Sequence, residues 1–366
     1  MSLNFYMPVK LITGENCIEN NRAMFAIGKR CFIVTGKHSA ITSGALGDVA
    51  AALTACGAEY IVFDKISENP LLSVCAEGGH AAALYGADFV VGIGGGSPLD
   101  AAKAIAAFAA NDGIKPSELF EVNKLKPSLP LIGVPTTAGT GSEVNPYSIV
   151  TLDGEGKKKT FNSPKSYFKY AFVDPKYTYS LGKEYTVSTA LDAFCHCIES
   201  YLSPKSSDAS RLFAGYGAKK IWEVLTSTTD TYTSAQRESL SYAATAGGIA
   251  INATGTGFPH PLGYNLTLDK GVPHGRACAV FTGLYIEYNQ RDPEGKRLLD
   301  MFAESVGVPI AEIAEVIPKL ANVSLKLDNE TITDYINKVK TATNFVNAPY
   351  KLTESEMQEV YTRLFA

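Results

Sequence analysis

The sequence predicts an α/β half followed by an all-helical half. Three observations carry that expectation. Short, continuously apolar runs alternate with helix-compatible stretches over the first half of the chain. Glycine- and threonine-rich turns follow the third and fourth of those runs. From Thr186 onward the periodicity is helical and convincing β-branched runs are few. Apolar strands that alternate with helices form a parallel sheet covered on both faces.

In order, residues 31–35 read as a strand, followed by Gly36 and a helix over 40–55. Residues 60–63 give a second strand, and Glu68-Asn69-Pro70 opens a helix to about Tyr85. A third strand, 89–93, ends in Gly94-Gly95-Gly96-Ser97-Pro98. A fourth, 131–134, ends in the turn 135–143. The character changes after Ala171-Phe172-Val173-Asp174-Pro175. Helices are then expected at 186–202, 208–225, 234–252, 296–306, 309–321, 331–342 and 353–365. The division falls near 180, giving an α/β domain over 1–180 and a helical domain over 181–366.

Composition narrows the partners. A chain of 366 residues with 46% apolar content can bury a large core. Net charge is −4 and the only basic triplet is Lys157-Lys158-Lys159, which does not make a nucleic-acid surface. The apolar run 101–110 is too short to span a membrane and carries Lys103. Residues 1–10 lack a basic region followed by an apolar run. Seven scattered cysteines argue for a reducing, cytoplasmic setting and against a disulfide framework.

Parallel sheets bind ligands at the carboxyl ends of their strands, where the two glycine-bearing turns fall. Gly94-Gly95-Gly96 admits close backbone approach. Ser97 is expected as N-cap and Pro98 as the first residue of a helix over 98–110, whose free amides make an anion site. Thr136, Thr137 and Thr140 add hydroxyls in the second turn. Asp100 and Lys103 are one turn apart and suit a mutual ion pair.

The second half carries a metal-ligand pattern. Asp192 and His196, four apart in a segment free of Gly and Pro, project from one helix face. That spacing alone also suits a helix-surface hydrogen bond. His260 and His274, in Pro- and Gly-rich segments, complete three imidazoles and one carboxylate. Such a set suits Fe²⁺ or Zn²⁺ with room for substrate or water. Cys195 and Cys197, one residue either side of His196, point about 100° away from it and read as packing residues.

The run Gly94-Gly95-Gly96-Ser97-Pro98-Leu99-Asp100-Ala101-Ala102-Lys103-Ala104-Ile105, the turn 135–143, the segment 192–199 and the His260 and His274 segments resemble, in this order, the motifs of one family. It is the iron-dependent (group III) alcohol dehydrogenases of the dehydroquinate-synthase-like superfamily, and the resemblance covers nearly the whole chain. It implies a dinucleotide domain, a helical domain, one divalent metal in the cleft between them, and a homodimer. It implies Asp192, His196, His260 and His274 as the ligands. It implies cofactor contacts at Gly36, Asn69, Gly94, Gly95, Gly96, Ser97, Thr136, Thr137, Thr140, Tyr147, Lys158 and Thr178. Some family members carry a further histidine four residues after the third ligand; Tyr264 stands there. Relatives that prefer NAD tend to place an acid after the first strand, whereas this chain has Lys37-His38-Ser39, so NADP(H) is expected over NAD(H). Asp64, ending the second strand, would favour NAD only if the phosphate turn followed the first strand.

The expected reaction is hydride transfer between NADP(H) and a primary alcohol or aldehyde, a small aliphatic alcohol or diol, with Tyr264 or a water carrying the proton. Phe258, Leu262 and Phe194 near the ligands suggest an aliphatic substrate. The rival activities are a glycerol dehydrogenase-like polyol oxidoreductase, a dehydroquinate-synthase-type lyase, and a non-catalytic nucleotide-binding protein with a structural metal. The lyase needs basic residues for a phosphorylated substrate, and only Lys270 and Arg276 lie near the last two histidines. Structural metal sites are usually thiolate-rich, and this four-residue set has no thiolate.

Overall fold

The computed structural model describes residues 5–227 and 231–366. The chain divides into two compact units. One takes Met7–Gly182 and Thr231–Thr245. The other takes Met1–Tyr6, Lys183–Asp230 and Ala246–Ala366.

The first unit is built on a six-stranded sheet, ordered β1-β8-β5-β4-β2-β3. Its strands are β1 (Lys10–Thr13), β2 (Arg30–Thr35), β3 (Glu59–Phe63), β4 (Phe89–Gly94), β5 (Leu131–Pro135) and β8 (Tyr170–Val173), and every pairing is parallel. In β2, Phe32 and Val34 enter one buried cluster while Cys31 and Ile33 enter the other, on the opposite face. Both faces are therefore covered, which is why these strands read as unbroken apolar runs. From β2 the chain steps one way to β3, then crosses back to β4 on the other side. The carboxyl ends of β2 and β4 thus flank a topological switch point, where such sheets bind ligands.

Several elements differ from the sequence expectation. The helix expected over 40–55 is two helices, Ser39–Thr42 and Ala45–Ala55, because Gly44 adopts φ 83° between them. The helix expected from 98 begins earlier, at Gly96, with Gly95 as N-cap, so Ser97 lies inside the first turn instead of capping it. Strands β1 and β8 were hidden by their length of four residues each. An antiparallel hairpin, β6 (Tyr147–Leu152) with β7 (Lys157–Asn162), carries the basic triplet. Its turn needs positive φ at Gly154 and Gly156.

The segment Thr231–Thr245 is bound into this unit by polar contacts. Arg237 donates to the carbonyls of Thr178 (2.6 Å) and Leu181 (2.7 Å), and the Thr245 hydroxyl donates to Glu143 (2.8 Å).

The second unit is helical among its described residues. The helices Lys183–Leu202 and Asp208–Leu225 pack together, and Pro293–Val306 lies against both. Phe194 meets Trp222 and Phe302 in the core, with ring centroids 6.4 and 6.1 Å apart. The proline-rich segments are helix starts. Pro259 opens Pro259–Lys270, where its missing N–H costs nothing. Gly271 (φ 66°) ends that helix, and Pro273 precedes the short helix His274–Ala279. No helix among the described residues is long and apolar enough to cross a membrane.

Candidate metal centre and nucleotide turns

Asp192 and His196 lie one turn apart on the Lys183–Leu202 helix. His260 is the second residue of Pro259–Lys270, and His274 is the first of His274–Ala279. All four converge. Asp192 Oδ1 lies 3.7 Å from His196 Nε2, 3.5 Å from His260 Nε2 and 3.7 Å from His274 Nε2. Donor atoms around a tetrahedral ion bonded at about 2.0–2.2 Å lie roughly 3.3–3.6 Å apart, so the spacing suits one ion.

Convergence depends on Gly275. A Cβ placed there would lie 1.7 Å from the Ser188 carbonyl oxygen, so only glycine lets the short helix press against Lys183–Leu202. That contact sets His274 beside Asp192.

The site is dry on one side and open on the other. Asp192, His196 and His260 are buried, while the His274 side chain keeps 30% of its exposure. The His196 and His260 rings stack with centroids 4.8 Å apart, and Tyr264 stacks on His274 at 5.7 Å. Asp192 Oδ1 and His260 Nε2 are buried with no hydrogen-bond partner among the described residues. Buried polar atoms left this way are costly, and a cation between them would satisfy both.

Behind His260 stands Glu199, fully buried. Its carboxylate accepts from His260 Nδ1 (2.8 Å to Oε1) and from the Gly257 amide (2.6 Å). A proton held on Nδ1 by Glu199 turns Nε2 toward Asp192, the arrangement in which carboxylates orient metal-binding imidazoles. Burial pulls the His260 pKa down, but Glu199 and then Asp192 outweigh it and raise it to about 10. Burial likewise works to raise Asp192, yet His196, His274 and His260 together hold it well below the ordinary carboxylate range. The field that attracts a proton here attracts a metal cation for the same reason. The sequence reading gave Glu199 no role, although it sits seven residues after Asp192 on the same helix face.

Phe258, Leu262 and Phe194 do not line an open space. Each is almost wholly buried; Phe258 packs edge-on to Tyr285 and Phe194 to Phe302. They are core residues, so the aliphatic-substrate argument drawn from them fails.

In the α/β unit, the turns after β4 and β5 are joined by a Thr136 N–H to Gly94 O hydrogen bond of 2.9 Å. Cβ atoms on Gly95 and Gly96 would come within 3.2 Å of Thr137 and 2.6 Å of Thr140, so the two turns touch through these residues. The Asn69 amide donates to Ser97 Oγ (3.2 Å), and the Asn69 carbonyl accepts from Thr151 Oγ1 on β6. No side chain caps the Gly96–Ala110 helix, leaving its first amides for an anion. Thr136 Oγ1 is buried with no hydrogen-bond partner among the described residues. Gly36, Lys37, His38 and Ser39 follow β2, on the other side of the switch point.

Tyr147 and Lys158 belong to the hairpin, facing Asn162 and Thr151 respectively. Thr178 is not brought to this group by any contact: its hydroxyl donates to Pro175 O and its carbonyl takes Arg237. Beneath the turns, Lys103 is fully buried and donates to Ser142 Oγ (2.7 Å) and Tyr147 O (2.6 Å). Asp100 lies 3.7 Å from it and accepts from Ser142 Oγ and the Ile149 amide. The expected pair is present, and being buried it serves as an internal brace between helix, turn and hairpin.

A parallel sheet with glycine turns at its switch point, and a three-histidine, one-carboxylate cluster on helices, describe a nucleotide- and metal-dependent class of protein. Comparison with known proteins gives the family. Residues 8–175 match the family model for iron-containing alcohol dehydrogenase, and residues 186–366 match the C-terminal model of the Fe-containing alcohol dehydrogenase family. Alcohol dehydrogenase 4 of Saccharomyces cerevisiae is 31% identical over 86% of this chain and 83% of its own length. An iron-containing alcohol dehydrogenase structure from Thermotoga maritima superposes with TM-score 0.92 at 32% identity, covering 100% of this chain and 99% of that one. A sulfoacetaldehyde reductase from Bifidobacterium kashiwanohense, in complex with NAD+, superposes with TM-score 0.88 at 25% identity, covering 100% and 99%. The chain belongs to the iron-containing alcohol dehydrogenase family and is an oxidoreductase.

Proposed function

We propose that the chain interconverts a small primary alcohol or diol and its aldehyde, with NADP(H) preferred over NAD(H). The observation that carries this reading is the convergence of three Nε2 atoms on Asp192 Oδ1. Asp192, His196, His260 and His274 would hold one Fe²⁺ or Zn²⁺. When bound, such an ion supplies Lewis-acid polarisation of the alcohol or carbonyl oxygen, and the nicotinamide supplies the hydride-accepting carbon.

The chain's own residues do the rest. Glu199 fixes His260, and Gly275 fixes His274. Burial of Asp192, His196 and His260 keeps water from these three residues. The exposed side, by His274 and Tyr264, admits substrate, and Tyr264 or a water there passes the proton.

Gly36, Asn69, Gly94, Gly95, Gly96, Ser97, Thr136, Thr137 and Thr140 would contact the nucleotide, with Tyr147, Lys158 and Thr178 as further contacts. The NAD+ complex of the reductase relative supports a nicotinamide cofactor. The preference for a 2′-phosphate rests on this chain's Lys37, His38 and Ser39, a stretch with no acid to repel it. We take residues 1–180 as the nucleotide half and 181–366 as the metal half, and expect a homodimer.

The test mixes protein, Fe²⁺ or Zn²⁺ and either NADPH or NADH with butyraldehyde, and follows the nicotinamide absorbance. Consumption faster with NADPH is expected. Cofactor that binds but never turns over with any alcohol or aldehyde would refute the reading.

A further inference from the structure

Among the described residues of the α/β unit, two buried side-chain atoms stand without a hydrogen-bond partner, Thr35 Oγ1 and Thr136 Oγ1. The two residues keep only 2% and 1% of their exposure. Their backbones are engaged. The Thr35 carbonyl accepts from the Ile66 amide (3.3 Å), and the Thr136 amide donates to Gly94 O (2.9 Å). The deficit therefore lies in the hydroxyls alone. A buried hydroxyl with nothing to bond destabilises the protein that carries it, and valine has the same shape without that cost.

Both hydroxyls lie at one end and on one face of the sheet. Thr35 is the last residue of β2 and Thr136 directly follows β5, on either side of β4. Side chains alternate along a strand. Cys31 and Ile33 of β2 share a buried cluster with Ile132 and Val134 of β5, so Thr35 and Thr136 continue that face. The Gly96–Ala110 helix, whose first amides suit the pyrophosphate, covers the opposite face. The axes of β2 and β5 are two strand spacings apart, roughly 10 Å. One water with two hydrogen bonds of about 2.8 Å does not reach that far.

We propose that Thr35, with Thr136, hydrogen-bonds the adenosine part of the dinucleotide. The inference rests on the nicotinamide-cofactor reading above and adds to it Thr35 and the portion of the cofactor it holds. Thr35 leads directly into Gly36-Lys37-His38-Ser39, the stretch assigned to the 2′-phosphate, which sits on the adenosine ribose. A hydroxyl both donates and accepts, so it serves the ring nitrogens and amino group of adenine or the ribose hydroxyls.

The experiment titrates full-length wild type and Thr35→Val with ADP, NADPH and NADH by calorimetry. Thr35→Val should weaken all three by the same factor, about 3–10-fold. Its denaturant midpoint without cofactor should rise. Thr35→Ser keeps the hydroxyl and should keep wild-type ADP affinity. Thr136→Val should weaken ADP as Thr35→Val does, and it decides the matter if Thr35→Val does not fold.

Unchanged ADP affinity in either valine variant would overturn the inference and leave the cofactor reading standing. Weakening of NADPH alone would overturn it too, by moving the contact to the 2′-phosphate. A lower midpoint together with weaker ADP binding in Thr35→Val would mark packing damage and count against it. Wild type that binds NADPH but not ADP would remove the adenosine assignment. Wild type that binds neither NADPH nor NADH would overturn the cofactor reading and the inference together.

Discussion

Alanine at Gly275 should cost the protein its metal before it costs the fold. The added Cβ would sit 1.7 Å from Ser188 O and 2.8 Å from the Asp192 amide nitrogen. Carbon seldom approaches such atoms within 3.0 Å, so the helix bearing His274 must retreat by at least the 1.3 Å difference. Ligand distances in working metal sites hold to about ±0.2 Å, several times less than that retreat. Overpacking itself costs about 1–3 kcal/mol, which a protein of this size survives. Loss of one well-placed ligand should weaken metal binding by about 100-fold, near 2.7 kcal/mol. Chelator competition measures the affinity, and denaturant midpoints with chelator present isolate the packing cost. Gly271→Ala is the control: it strains a residue at φ 66°, but its Cβ meets nothing within 4 Å. It should lose about 1 kcal/mol of stability and keep its metal. Near-normal metal affinity in Gly275→Ala would refute the claim that this contact positions His274.

Four other substitutions probe the remaining parts. His260→Ala should lose metal and turnover together while circular dichroism stays native; normal turnover by metal-free protein would contradict the mechanism. Glu199→Gln removes the carboxylate behind His260 and should weaken metal binding by about 10–100-fold, read by the same competition. Lys103→Met leaves buried Asp100 unpaired and should lower unfolding free energy by roughly 3 kcal/mol or more. Burial holds the Lys103 pKa down to about 8, against an ordinary 10.5. Between those values the unfolded chain carries the extra proton, so wild-type stability relative to Lys103→Met should rise with pH across that window. Ser39→Asp puts an acid where a 2′-phosphate is expected; the KM for NADPH should rise about 10-fold or more while that for NADH changes little. Equal effects on both cofactors would count against the NADP preference.

Local pattern carried much of the fold. The central strands β2, β4 and β5 were legible because burial on both faces writes unbroken apolar runs. Asp192 and His196 were legible because helical spacing alone puts them together. Long-range contacts left weaker marks. Glu199 looks like any helix glutamate until His260, 61 residues on, meets it. Gly275 looks like a turn glycine until Ser188 is brought against it. Ser97 misled because a serine before a proline suits an N-cap, whereas Gly95 takes that position. Phe194, Phe258 and Leu262 misled because apolar residues beside ligands suit a substrate wall and a core equally well.

The return of Thr231–Thr245 to the α/β unit bears on how genes of this family can be recombined. A crossover at residue 182 would join a sheet from one parent to a segment from another that must supply a guanidinium for two carbonyls and a hydroxyl for a buried acid. Chimeras should therefore tolerate that junction only when both parents agree at Arg237 and Thr245. Expressed by itself, the stretch 7–182 would expose the seam those side chains close, and co-expression with the segment 231–245 would be the natural remedy.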